Sequence, residues 1–209
     1  MPNHSDFLHR MLLENKYSLS TSTEEKFIHY LDLLTKWNKI YNLTSIRDPN
    51  EMVMLHILDS LSINPYLHGT QILDVGTGAG LPGIPLSIIQ PEKEFTLMDS
   101  NSKKTRFLTQ VVLELKLTNV EVIHSRCEDL RPKQPFNSIL SRAFASLRVM
   151  LEATHHLVAE HGRFLAMKGV YPEAEIQELK QGFKVLAVHK LVINGLAAQR
   201  HLVCLAKED

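Results

Sequence analysis

Only two cysteines, Cys127 and Cys204, occur in this chain of 209 residues, and they stand far apart with no Cys-x-x-Cys spacing. Such a pair builds neither a disulfide framework nor a cysteine-type zinc site, and a reducing cytoplasm is the expected compartment. Net charge is missing as well: 23 Lys and Arg offset 23 Asp and Glu. This balance excludes attachment to nucleic acid through a generally basic surface, so a phosphate-bearing partner must be held by a local patch. No run of about 18 apolar residues occurs, and the first residues carry no basic stretch followed by an apolar one. The expectation is a protein with no membrane span and no export signal. The histidines, including His155, His156 and His161, are not backed by acids or cysteines at ligand spacing, so no metal site is expected. What remains is a 44% hydrophobic chain, long enough for one ordinary core without staples.

From Asp6 to about Leu67 the apolar residues recur at helical spacing. Ser22 followed by Glu25 reads as a capping box opening a helix whose stripe is Phe27, Leu31, Leu34, Trp37 and Tyr41. Asp48-Pro49 reads as a second start, for a helix running to about Ser62. Residues 1–67 are therefore expected to form a helical cap on a main domain spanning 68–209. From Gln71 short apolar runs alternate with amphipathic segments, as in a βαβ series. Strands are expected at 71–75, 94–98, 120–124, 138–141 and 163–167, with helices at 84–89, 103–116, 147–160 and 173–181. The runs 184–193 and 201–206 are joined too closely for a helical crossover, so they should pair antiparallel. The predicted fold is α/β: a mostly parallel sheet with a reversed last strand.

The segment Ile72–Gly83 carries most of the functional information. A buried strand enters a turn containing Gly76, Gly78 and Gly80 and leaves as a helix, so a ligand can approach bare backbone at the carboxyl end of the first strand. Two readings compete there. Gly78-x-Gly80-x-x-Gly83 spells a dinucleotide fingerprint, and Asp99, ending the second strand, fits the adenosine ribose of a nicotinamide cofactor. The same Asp99 fits the ribose of S-adenosylmethionine. A strand ending at Val75 makes Gly76–Gly80 the turn itself, and Asp74 beside it suits a cationic sulfonium better than a pyrophosphate. Cys127-Glu128 follows the third strand, where backbone and an acid either accept from an adenine amino group or cap a helix in a loop. Arg142 follows the fourth and Lys168 the fifth, both on the edge that carries the turn.

The blocks Asn42–Arg47, His56–Leu61, Leu73–Leu86, Asp99–Leu108 and Ser141–Ser146 closely resemble the bacterial glucose-inhibited division protein B family, the Gly-Leu-Pro-Gly-Ile-Pro run of residues 80–85 most specifically. The resemblance spans about Phe27 to the C-terminus. It implies a class I S-adenosylmethionine-dependent methyltransferase with a Rossmann-like fold, cytoplasmic and acting on N7 of guanine 527 in 16S ribosomal RNA of the small subunit. By that likeness Gly76, Leu81, Cys127, Glu128 and Arg142 bind the donor, with Asp99 at its ribose. Guanine N7 carries a lone pair and no proton, so no general base is required. Arg142 and Lys168 are the candidates for holding guanine O6 or nearby phosphates. His56 and Asp59, three apart on one helix face, either line the pocket or make a surface hydrogen bond. Trp37 and Tyr41 read as core before base stacking, and Lys36, Lys39 and Arg47 as phosphate contacts of low specificity. A small-molecule methyltransferase of the same fold, a nicotinamide oxidoreductase and a non-catalytic ribosome-assembly factor remain alternatives, and a monomer is expected. Neutral overall charge conceals nine basic against five acidic residues between 96 and 148, which points to binding by the shape of one folded RNA target.

Overall fold

A computed structural model describes residues 4–143 and 145–208. Phe144 of the Ser141–Ser146 block and the first three residues of the leader expectation lie outside them.

Three helices precede the sheet: α1 His4–Glu14, α2 Thr21–Tyr41, and α3, which runs through Pro49–Met52, Val53–Leu58 and Asp59–Leu61. Asp48 caps α3 as expected, accepting from the amides of Asn50 and Glu51. The α2 cap differs: Ser20, two residues before the expected Ser22, accepts from Thr23 N. Its backbone is extended, the geometry a cap requires, whereas Ser22 already lies in the helix. The middle of α3, Val53–Leu58, is wound in the wider π form, which sequence periodicity does not encode.

The sheet follows as β1 Gln71–Val75, β2 Glu94–Asp99, β3 Val120–His124, β4 Phe136–Arg142, β5 Val158–Lys168, β6 Phe183–Leu191 and β7 Arg200–Lys207. Helices α4 Gly83–Ile89, α5 Ser102–Glu114, α6 Leu147–Thr154 and α7 Glu173–Gln177 connect them. Strand order is β3-β2-β1-β4-β5-β7-β6. The first five strands are parallel, and β7 enters antiparallel between β5 and β6, as the short final connection required. Two helices stop several residues before their patterns predict. The 147–160 segment stops at Thr154, because Val158 pairs with Phe136 and a bulge then resets the register to Ser138 opposite Arg163. The 173–181 segment stops at Gln177.

Strand alternation sorts the interior into two layers. Ile72, Leu97, Leu140, Leu165 and Leu202 share one cluster with Leu12, Phe27, Leu34 and Ile57 of the first three helices. Leu73, Met98, Ile139, Phe164 and Val203 face the other way, onto Leu147, Met150 and Leu151 of α6. The α2 stripe is buried at Phe27, Leu31 and Leu34 but reaches the surface at Tyr41, 39% exposed. Trp37 is core packing, its ring 5.6 Å from that of Phe107 on α5. Because Trp37 is the chain's single tryptophan and sits at this junction, its fluorescence reports the joint between the first helices and the sheet. Urea transitions followed by Trp37 emission and by far-ultraviolet circular dichroism should coincide. An earlier fluorescence transition would mean that the first helices detach alone.

Candidate active site

The site is organised by a carboxylate that never reaches solvent. Asp74, fully buried on β1, accepts the Thr77 hydroxyl at 2.6 Å and the Gly83 amide at 2.9 Å, both on Oδ2. It thereby ties the strand to the first amide of α4, across the turn. A side chain at Gly83 cannot fit: its Cβ would lie 2.2 Å from Leu97 Cδ2 and 2.8 Å from the Asp74 carboxylate. Gly76 and Gly78 turn the chain through φ of 62° each, backbone that other residues rarely adopt. The Gly78 amide then donates to Asp99 Oδ2 at 3.0 Å. Burial raises the Asp74 carboxyl to about 7; with its Oδ2 bonds made inside the turn, this residue is a clasp of the turn.

On the β2–β3 side of Gly76 lies a cavity of about 340 Å³, lined among others by Met98, Asp99, Ser125, Cys127 and Glu128. Asp99 Oδ2 already accepts from Gly78 and from Lys104 Nζ at 3.3 Å, and Oδ1 from the Asn101 amide, so lone-pair capacity remains on Oδ1 for a diol. Cys127 and Glu128 belong to a short 3-10 turn, Cys127–Asp129. Burial pushes the Cys127 thiol up to about 11, so it stays protonated and is no nucleophile. Gly78, Gly80 and Leu81 do not line this cavity: the Gly78 amide is turned to Asp99, Gly80 packs on Ile84 and Leu108, and the Leu81 side chain is buried in the core.

Arg142 lies elsewhere. It lines a second cavity of about 470 Å³ on the β4–β5 side, with His56, Asp59, Lys168 and Arg200. The first and second cavities therefore flank the β1/β4 boundary, where crossovers leave the sheet in opposite directions and α/β folds hold ligands. Asp59, 3% exposed, binds Arg142 Nη1 at 3.0 Å and Arg200 Nε at 2.7 Å. Arg142 also donates to the Leu55 carbonyl, in the π turn, at 2.8 Å. Lys168 is occupied differently: its ammonium meets Glu175 at 2.8 Å and the Ala145 carbonyl at 2.9 Å. Glu175 also accepts the Leu147 amide at 2.6 Å, so Lys168 and Glu175 brace the segment after β4. His56, buried and bonded to the Thr44 hydroxyl at 3.0 Å, is lowered to about 4 by burial and then by the Arg142 charge. It is a neutral imidazole. Sequence reasoning missed Arg200, whose only signal was its position at the start of a strand that returns antiparallel beside β5.

The family model described as "rRNA small subunit methyltransferase G" (GidB) matches residues 23–203. The chain belongs to this family. The protein named ribosomal RNA small subunit methyltransferase G of Pseudomonas aeruginosa (strain LESB58) is 53% identical over 206 residues, 98% of this chain and 96% of its own. The protein of the same name from Escherichia coli O1:K1 / APEC is 52% identical, covering 92% and 93%. Among solved structures, the glycopeptide N-methyltransferase MtfA complexed with S-adenosylmethionine matches with a TM-score of 0.59 at 10% identity, over 74% of this chain and 88% of that one. A ribosomal protein L11 methylase from Lactobacillus delbrueckii subsp. bulgaricus gives 0.54 at 14%, over 73% and 77%. These likenesses fix the class I methyltransferase fold. The antiparallel β7 also departs from the all-parallel order expected of a nicotinamide-binding Rossmann domain. A GidB protein uses S-adenosylmethionine, and the residual acceptor capacity of Asp99 beside the glycine turn fits that donor. Among the described residues, no helix is long and apolar enough to cross a membrane, and no group of three His, Cys, Asp or Glu is gathered to hold a metal.

Asp74 and His56 make opposite contributions to the pH dependence of stability. The folded Asp74, raised from 3.8 to about 7, holds its proton longer than the unfolded chain, so its contribution falls as pH rises through that window. The folded His56, lowered from 6.5 to about 4, binds its proton later, so its contribution falls as pH drops through that range. Asp74→Asn, isosteric with the protonated acid, should leave the histidine arm unopposed. Its urea midpoint should rise from pH 4.5 to 6.5 more steeply than that of the wild type, and His56→Gln should shift the slope the other way.

Proposed function

We propose that this chain transfers the methyl group of S-adenosylmethionine to N7 of guanine 527 in 16S ribosomal RNA, acting as a cytoplasmic monomer on the small subunit. In this reading residues 1–67 are a cap that completes the acceptor side of a methyltransferase domain at 68–209. The observation that carries it is the pair of cavities across the β1/β4 boundary, one rimmed by Asp99 and Glu128, the other by Arg142 and Arg200. Carboxylates suit a cationic donor carrying a diol and an exocyclic amine; guanidinium groups suit RNA oxygens.

S-adenosylmethionine, when bound, supplies an electrophilic methyl group. Asp99 holds the ribose, the backbone of Gly76 and Gly78 gives close approach at the turn, and Cys127 and Glu128 meet the adenine. Gly80 and Leu81 support the turn from the core side. On the acceptor side no residue has to take a proton, since N7 has none to lose. This agrees with the neutral, buried His56. The chain's contribution is orientation and electrostatics, which can supply most of the acceleration of such a transfer. Arg142 belongs to the acceptor side of this division, and Lys168 serves as the brace of the 145–147 segment.

Labelled-methyl transfer to small subunits lacking the modification, followed by chemical cleavage at N7-methylguanine, should give one cut, at position 527. A folded, donor-binding protein that transfers no label to the RNA would overturn the reading. Asp99→Asn should weaken S-adenosylhomocysteine binding by about tenfold or more by calorimetry, the scale of a hydrogen bond to a charged group.

A further inference from the structure

Strand parity determines which cations meet across the second cavity. Arg142 shares its face of β4 with Leu140, and Arg200 its face of β7 with Leu202; both leucines belong to the cluster under the first helices. Lys168 shares its face of β5 with Phe164 and Ala166, which pack in the opposite layer, where Glu175 meets it. The two arginines therefore converge on α3 from strands separated by β5. Two guanidinium groups brought together there repel one another and would turn out to solvent unless a buried anion held them. Asp59 is that anion, with one carboxylate oxygen for each arginine.

The arrangement leaves donors to spare. Among the described contacts Arg142 engages only Nη1, and Arg200 only Nε and Nη1, so Nη2 of each keeps both N–H groups. Both side chains retain about a fifth of their exposure, 21% and 22%, and line the cavity. Three charges sum to one positive, the balance that draws a phosphate into a partly buried pocket. A guanidinium fork on guanine O6 and N7, the common mode of guanine recognition, would occupy the lone pair that must attack. A backbone phosphate, with oxygens enough for two guanidinium groups, occupies both arginines and leaves N7 free.

We infer that Asp59 is a positioning residue for the RNA: it sets Arg142 and Arg200 as a preformed clamp for one phosphate of the target segment. This rests on the RNA-methylating reading above, but its primary readout is RNA affinity, measured by filter binding to small subunits lacking the modification. Asp59→Asn should weaken that affinity about tenfold and reduce the slope of log affinity against log salt by about one, the signature of a lost phosphate contact. S-adenosylhomocysteine affinity should fall less than RNA affinity; an equal fall would mean that Arg142 serves the donor, as the resemblance implied, and would overturn the inference. In an Arg142→Ala, Arg200→Ala background, adding Asp59→Asn should cost less than about twofold more, because the carboxylate acts only through the arginines. Asp59→Glu, which keeps the charge, should lie between wild type and Asp59→Asn, and it carries the test if the Asn variant does not fold. Wild-type affinity and salt slope in the charge-removing variant, or an undiminished loss in the double-alanine background, would overturn the inference. If the wild type binds subunits with an Asp59-dependent slope yet transfers no methyl, the clamp stands and the assigned reaction falls.

Discussion

A residue on a central strand of a covered sheet has two faces to choose from, and the side chains at the functional edge inherit that choice. Counting in twos along β4 and β7 from their buried leucines brings Arg142 and Arg200 out under the first helices, while the same count along β5 sends Lys168 to the opposite layer. The Asp59 bridge and the Lys168–Glu175 brace both follow from this parity. The first helices are thus more than a lid. They bury one face of the sheet and supply, in Asp59 and the Leu55 carbonyl, the acceptors that the strand-borne cations need.

On the donor side the corresponding constraint is the Asp74 clasp. A fully buried carboxylate is costly to ionise, and this one keeps an oxygen, Oδ1, without a hydrogen-bond partner. Its two bonds on Oδ2 fix where β1 ends and α4 begins, so the glycines between them have a set path. Asp99 continues the arrangement by accepting the Gly78 amide, which links the turn to the end of β2. The donor turn is held from both strands by the chain's own carboxyl groups.

Much of this was legible in the amino-acid order. β1 and β3 match their predicted bounds, the last pair is antiparallel as its short connection demanded, and the glycine turn lies at the strand end where its spacing put it. What was not legible depends on partners distant in sequence. The run 147–160 is helical by local pattern, but pairing of Val158 with Phe136 ends it early. That Lys168 pairs with Glu175 is seen only once α7 folds back. Arg200 carried no motif, and its meaning comes from a bridge spanning 141 positions. Asp59 could be put on a helix face from sequence, but not opposite two strand ends.

The neutral chain and its internally paired cations also bear on how quickly the enzyme finds its substrate. Asp59 offsets much of the arginine charge and Glu175 that of Lys168, so the field over the acceptor cavity is weak beyond a Debye length. Encounters with ribosomal RNA then gain little from long-range attraction, and association should run at the unsteered rates typical of docking partners. Discrimination falls to residence time: wrong segments leave quickly, and the right one stays once a phosphate seats in the clamp.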